Sequence, residues 1–125
     1  MIGGREKMAF CGETQLVIND QTYFKDHIWG YEEKKIDDSK VDFIVSHLTT
    51  PQEREQAIHI FQSFEKVEYM RIDGRVTDSG FYLLELSPDC YLGPESDFEI
   101  AMKEQLNLDY PGCLKFIIEN SLNQG

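Results

Sequence analysis

The sequence predicts an α+β domain, a largely antiparallel sheet with helices packed on one side. Three observations carry that expectation. Short runs with strand-like apolar patterning recur in the first twenty residues, at Val41–Ser46 and through Met70–Asp89. Two helix starts are spelled out, at Thr50-Pro51-Gln52-Glu53 and at Ser96-Asp97-Phe98-Glu99. The C-terminal stretch then places apolar residues at helical spacing. With 125 residues, 41% of them hydrophobic, residues 1–125 form one domain able to bury a core.

Taken in order, "KMAFCGETQLVIN" (Lys7 to Asn19) predicts two short strands turning near Gly12-Glu13. Residues 20–40 are polar and charged around "HIWGYEEKKIDDSK" and predict a long loop. "VDFIVS" is a short strand. Thr50 then supplies an N-cap, Pro51 the first helical position and Glu53 the return half of a capping box. The helix so started should bury Ala57, Ile58, Phe61 and Phe64.

Met70 to Asp89, "MRIDGRVTDSGFYLLELSPD", predicts a hairpin. A three-residue loop Asp78-Ser79-Gly80 with left-handed Gly80 pairs Thr77 with Phe81, Arg75 with Leu83, Asp73 with Glu85 and Arg71 with Ser87. Ile72, Val76, Tyr82, Leu84 and Leu86 then share the other, core-facing side. The loop "SPDCYLGPES" follows and leads into a second capping box. The helix after it should bury Phe98, Ala101, Met102 and Leu106. A last helix, roughly 109–122, should bury Leu114, Ile117, Ile118 and Leu122.

Twelve basic against 23 acidic side chains give a formal charge of −11, which speaks against a partner with a phosphate backbone, so no nucleic acid is expected. No apolar run of membrane-spanning length occurs, nor a signal peptide, so the chain is read as cytoplasmic with no membrane partner. Cys11, Cys90 and Cys113 have no metal or disulfide spacing and are read as reduced thiols. His27, His47 and His59 form no ligand pattern. The chain enters strand-like sequence at once, as a fragment does.

In the hairpin register Asp73 and Glu85 are cross-strand neighbours. Like charges 5 Å apart at an effective dielectric of 20 repel by roughly 3 kcal/mol before screening, and such pairs weaken a sheet. A solvated salt-bridge face with Arg71 and Arg75 would offset this. So would a hard divalent cation: oxygen donors without histidine or cysteine suit Mg²⁺, which takes one or two carboxylates plus substrate phosphates. An arginine two residues from the aspartate would then face phosphate or a developing oxyanion.

"MRIDGRVTDSGFYLLELSPDCYLGPES", followed by two helices, resembles the C-terminal part of the ATP-grasp ligases, most closely the D-alanine–D-alanine ligase branch. There an R-[VI]-D strand leads into a strand reading L-E-x-N. The resemblance implies Asp73 and Glu85 as Mg²⁺ ligands, with Ser87 in place of the asparagine, and Arg71 as the catalytic cation. "YEEKK" (Tyr31 to Lys35) resembles that family's lysine loop and implies Lys34 as an ATP phosphate contact. Ser96 falls on the serine that binds the substrate carboxylate. The implied chemistry joins a carboxylate to an amine through an acyl phosphate, with both small molecules as substrates.

The asparagine-to-serine change removes a carbonyl ligand, and the nucleotide-gripping domains of the family are missing. The resemblance therefore implies remaining ATP-grasp domains in cis or trans, and weak or no MgATP binding by the isolated chain. It leaves open a non-catalytic binding or assembly module derived from the same fold, and a homodimer formed through exposed apolar surface.

Overall fold

In a computed structural model, which describes residues 1–25, 35 and 40–123, the N-terminal strands choose different partners from those expected. β1 (Ile2–Gly3) pairs antiparallel with β2 (Met8–Phe10), Ile2 lying opposite Phe10. β3 (Thr14–Ile18) pairs instead with β4 (Val41–Val45), from Thr14 opposite Val45 to Ile18 opposite Val41. The anticipated turn near Gly12-Glu13 is thus a crossing between two sheets.

The remaining elements are α1 (Pro51–Gln62), β5 (Arg71–Thr77), β6 (Gly80–Ser87), α2 (Asp97–Leu106) and α3 (Tyr110–Leu122). The fold is α+β as expected. Its described strands form three two-stranded antiparallel sheets, however, and not one larger sheet. β1 is stitched to the lead-in of β5 by single bonds: Gly3 N–H donates to the Glu68 carbonyl and Met70 N–H to the Met1 carbonyl, each at 3.0 Å. Strands of two or three residues supply too few ladder bonds to extend a sheet further.

The capping box of α1 is complete. Thr50 Oγ1 accepts the Glu53 N–H at 3.2 Å, and Glu53 Oε2 accepts the Thr50 N–H at 2.8 Å. Phe61 is the fully enclosed residue of α1, whereas Phe64 lies past its end and is exposed. At α2 only half of the expected box forms. Ser96 Oγ accepts the Glu99 N–H at 3.3 Å, but Glu99 Oε2 takes the N–H of Glu95, at 2.7 Å. α3 starts on Asp109, whose Oδ1 accepts the Gly112 N–H at 2.9 Å.

The core gathers around α2 and α3. Phe98, Ala101 and Met102 meet Cys113 and Ile117, closed by Ile2, Phe10 and Cys90. Tyr69 stands edge-on to Phe98, ring centres 6.1 Å apart. Leu106, Ile118 and Leu122, expected inside, are exposed. α3 is apolar over a wide arc, and its contact with α2 selects the Cys113–Ile117 stripe from that arc.

The hairpin keeps its expected pairing at one end by an unexpected route. Its turn has two residues, Asp78 and Ser79, so Thr77 faces Gly80 and Arg75 faces Tyr82. A bulge between Asp73 and Gly74 then absorbs Leu84 and restores Asp73 opposite Glu85 and Arg71 opposite Ser87. Gly80, at φ 124°, makes the tight exit from the turn. The residues expected to share the core side no longer do so, since Tyr82 pairs with Arg75 and Val76 with Phe81, and several are bare: Val76 is 39% exposed, Leu84 52% and Tyr82 54%.

Candidate functional site

A cleft of about 940 Å³ runs beside this hairpin, from Glu13, Tyr23 and Phe43 to Asp73, Glu85 and Asp97. Two glutamates on its wall hold the surrounding loops. Glu13, between β2 and β3, accepts the Ser46 hydroxyl at 2.8 Å and the Leu48 N–H at 2.6 Å through Oε1. Its Oε2 accepts the Thr49 N–H at 3.2 Å, the Thr49 hydroxyl, and Arg54 Nη2 at 3.4 Å. Desolvation alone would raise the Glu13 pKa, but the hydrogen bonds from Thr49, Leu48 and Ser46 outweigh it, and the carboxyl titrates below its ordinary range. Glu53 Oε1 accepts the Phe81 N–H at 2.6 Å and so ties the start of α1 to β6.

The chemistry-bearing residues meet at the open end of β5 and β6. Arg71 grips Asp73 with both arms, Nε to Oδ1 at 2.6 Å and Nη2 to Oδ2 at 2.8 Å. Such a two-bond pair is among the stronger charge-assisted contacts. The hydrogen bond to Asp73 holds the Arg71 pKa above its already high ordinary value. Glu85 is opposite Asp73, and the Ser87 hydroxyl donates to Glu85 Oε1 at 3.3 Å. Arg71, Asp73, Glu85 and Asp97 all line the cleft.

Four of the sequence-derived site residues, Arg71, Asp73, Glu85 and Ser87, are therefore brought together. Ser87 is buried and reaches Glu85 without lining the cleft. Ser96 is also buried, at the α2 cap, and is likewise not part of the cleft wall. Lys34 lies outside the described residues, as do His27, Trp29 and Tyr31. No family model, curated protein or solved structure matches this chain.

The donor set is all oxygen: two facing carboxylates and one hydroxyl. That fits a hard cation carrying much of its own shell, and does not fit a thiolate or imidazole metal. Among the described residues no group of three or more histidine, cysteine or acidic side chains gathers as a metal site. A cation here would rest on the Asp73–Glu85 pair, and Asp73 is already engaged by Arg71. The cysteines take no part: all three are free, and burial pushes each thiol up, away from the reactive thiolate.

Asp97 is the site residue that sequence reasoning missed. Its sequence context marks it only as part of a capping box, yet it stands on the cleft with its Oδ2 4.0 Å from Arg71 Nε. Burial pushes its carboxyl up, and the charge of Arg71 partly opposes that. An acid at the first position of a helix, directly after the cap, is the sequence signal that could have marked it.

Proposed function

We propose that this chain is the metal- and phosphate-binding part of an ATP-dependent carboxylate–amine ligase of the ATP-grasp kind. The observation that carries the reading is the juxtaposition of Arg71, Asp73, Glu85 and Ser87 at one end of a hairpin bordering a large cleft. Asp73 and Glu85 would hold Mg²⁺, which would neutralise charge on nucleotide phosphates when bound. Ser87 keeps Glu85 turned toward the pair through its hydroxyl. Arg71 supplies a fixed positive charge where a transferred phosphoryl group or a tetrahedral oxyanion needs one. Lys34 is proposed as a phosphate contact, Ser96 acts as the buried cap of α2 and not as a substrate contact, and the amine and nucleotide walls of the cleft would come from further ATP-grasp domains.

Thermal unfolding with and without Mg²⁺ tests this. A cation at ten times its Kd stabilises by about 1.4 kcal/mol, which raises Tm by several degrees. The wild-type chain should show that rise, and Asp73→Asn and Glu85→Gln should each lose it. An equal rise in all three would end the metal assignment.

A second reading has its own support. The bare Val76, Tyr82 and Leu84 suit a non-catalytic module whose hairpin docks on a partner. It expects no Mg²⁺-dependent rise in any of these proteins.

A further inference from the structure

α3 carries two apolar stripes, and the core uses one of them. Cys113 and Ile117 belong to the core with α2, and Phe116 packs partly covered beside them. About 120° further round the helix, Leu114, Ile118 and Leu122 recur at every fourth residue and form a ridge. Leu114 is half-buried, whereas Ile118 is 59% exposed and Leu122 77%, so among the described residues the ridge faces solvent. Lys115 and Glu119 line one flank of it, Nζ to Oε1 at 3.7 Å, and both are well exposed. They are the only charged residues of α3, which leaves the helix formally neutral in a chain of net charge −11. A bare apolar ridge on a neutral helix is where two acidic copies can approach at low electrostatic cost.

We propose that α3 is a homodimer interface: a second copy of this chain docks antiparallel on the Leu114–Ile118–Leu122 ridge about a two-fold axis. Each ridge residue then fits between two residues of the other ridge. Two interleaved registers are available. With Ile118 between the partner's Leu114 and the partner's Ile118, Lys115 comes level with the partner's Glu119, and Glu119 with the partner's Lys115. With Ile118 between the partner's Ile118 and the partner's Leu122, the two copies of Glu119 face each other. Charge therefore selects the first register. An antiparallel two-fold keeps the same flank of both helices on one side, so both ion pairs form together. The Lys115–Glu119 pair within each helix is exposed and costs little to exchange. The ridge is small beside the roughly 800 Å² per partner of a standard interface, so the dimer is weak and concentration-dependent. The inference does not depend on the metal reading of Asp73 and Glu85.

Sedimentation equilibrium of the full chain from about 10 μM to 1 mM tests this, a range that spans weak interfaces. The wild type should pass from monomer toward dimer within it. Ile118→Glu should raise the dimer Kd at least about tenfold, because two unpaired carboxylates would enter the interface. Its far-UV circular dichroism should match wild type, since Ile118 lies outside the core. Glu119→Lys separates ion pairing from bulk charge. It makes the chain less negative, so general repulsion alone predicts a tighter dimer, whereas the paired register predicts one about fivefold weaker. Lys115→Glu should weaken the dimer similarly, and the two changes together should return it to within about twofold of wild type. A chain that stays monomeric throughout, a dimer untouched by Ile118→Glu, or a double charge variant no tighter than either single one would each overturn the proposal. So would a dimer broken by Tyr82→Asp and not by Ile118→Glu, which would move the interface to the hairpin. The wild-type chain also answers without variants: the Ile118 and Leu122 methyl resonances should shift together with concentration. Fixed positions across the dimerisation range overturn the inference.

Discussion

Glu53, in the first turn of α1, accepts the backbone N–H of Phe81 at 2.6 Å, so a helix start steadies the hairpin that carries Arg71, Asp73, Glu85 and Ser87. The same carboxylate takes the Thr50 N–H and hydroxyl at 2.8 and 2.9 Å. These bonds hold its pKa below the ordinary glutamate value, the Thr50 amide contributing most. Glu53→Ala should therefore speed amide hydrogen exchange at Phe81 by about tenfold, and by less at Leu86 near the far end of β6. Unchanged exchange at Phe81 would show that the tie is incidental.

If Asp73 and Glu85 hold a cation as proposed, the cost of placing them opposite each other should depend on cations. Without divalent ions Glu85→Gln relieves a like-charge cross-strand pair and should leave stability unchanged or raise it by up to about 1 kcal/mol. With Mg²⁺ present the ranking should reverse, wild type becoming the more stable. Urea unfolding midpoints in EDTA and in Mg²⁺ read both halves.

Glu13 and Asp97 should give opposite pH slopes. Glu13 is depressed below its ordinary 4.5, so its stabilisation is present above that value and is lost as pH falls through the folded pKa. The stability gap between wild type and Glu13→Gln should accordingly narrow on acidification below about pH 5. Asp97 is raised above its ordinary 3.8, chiefly by burial, so the fold favours its protonated form. Wild type should lose stability relative to Asp97→Asn as pH rises from 3.8 through the folded pKa. Chemical unfolding of the three proteins across the acid range checks both signs.

Leu84 and Met102 separate the expected core from the one the fold builds. Met102 is fully buried, and Met102→Ala should cost about 2–5 kcal/mol. Leu84 is bulged and 52% exposed, so Leu84→Lys should stay within about 0.5 kcal/mol of wild type. A large loss at Leu84 would place it under a cover that the described residues do not supply.

Local chemistry was readable where it is short-range. Thr50, Pro51 and Glu53 announce α1, and all three play the parts that their types dictate. Ser96 is a cap as expected, but Glu99 reaches past it to Glu95, a choice made by the backbone of the preceding loop, where Glu95 has φ 60°. The Asp73–Glu85 and Arg71–Ser87 pairs were readable as well. The turn that should have set them is one residue shorter than expected, and the bulge at Leu84 compensates. Alternation alone cannot distinguish a longer turn from a shorter turn with a bulge, since both restore the same parity downstream.

Sequence by itself determined the α+β class, the helix starts and the set of oxygen-bearing residues at the end of one hairpin. These follow from backbone sterics, capping and period-two patterning, which act within a few residues. Tertiary structure alone decided that β3 pairs with β4, that Ile117 goes in while Ile118 stays out, and that Asp97 comes to lie 4.0 Å from Arg71. Those outcomes depend on which surfaces meet across long stretches of chain, and burial selects among faces that the sequence leaves nearly equivalent.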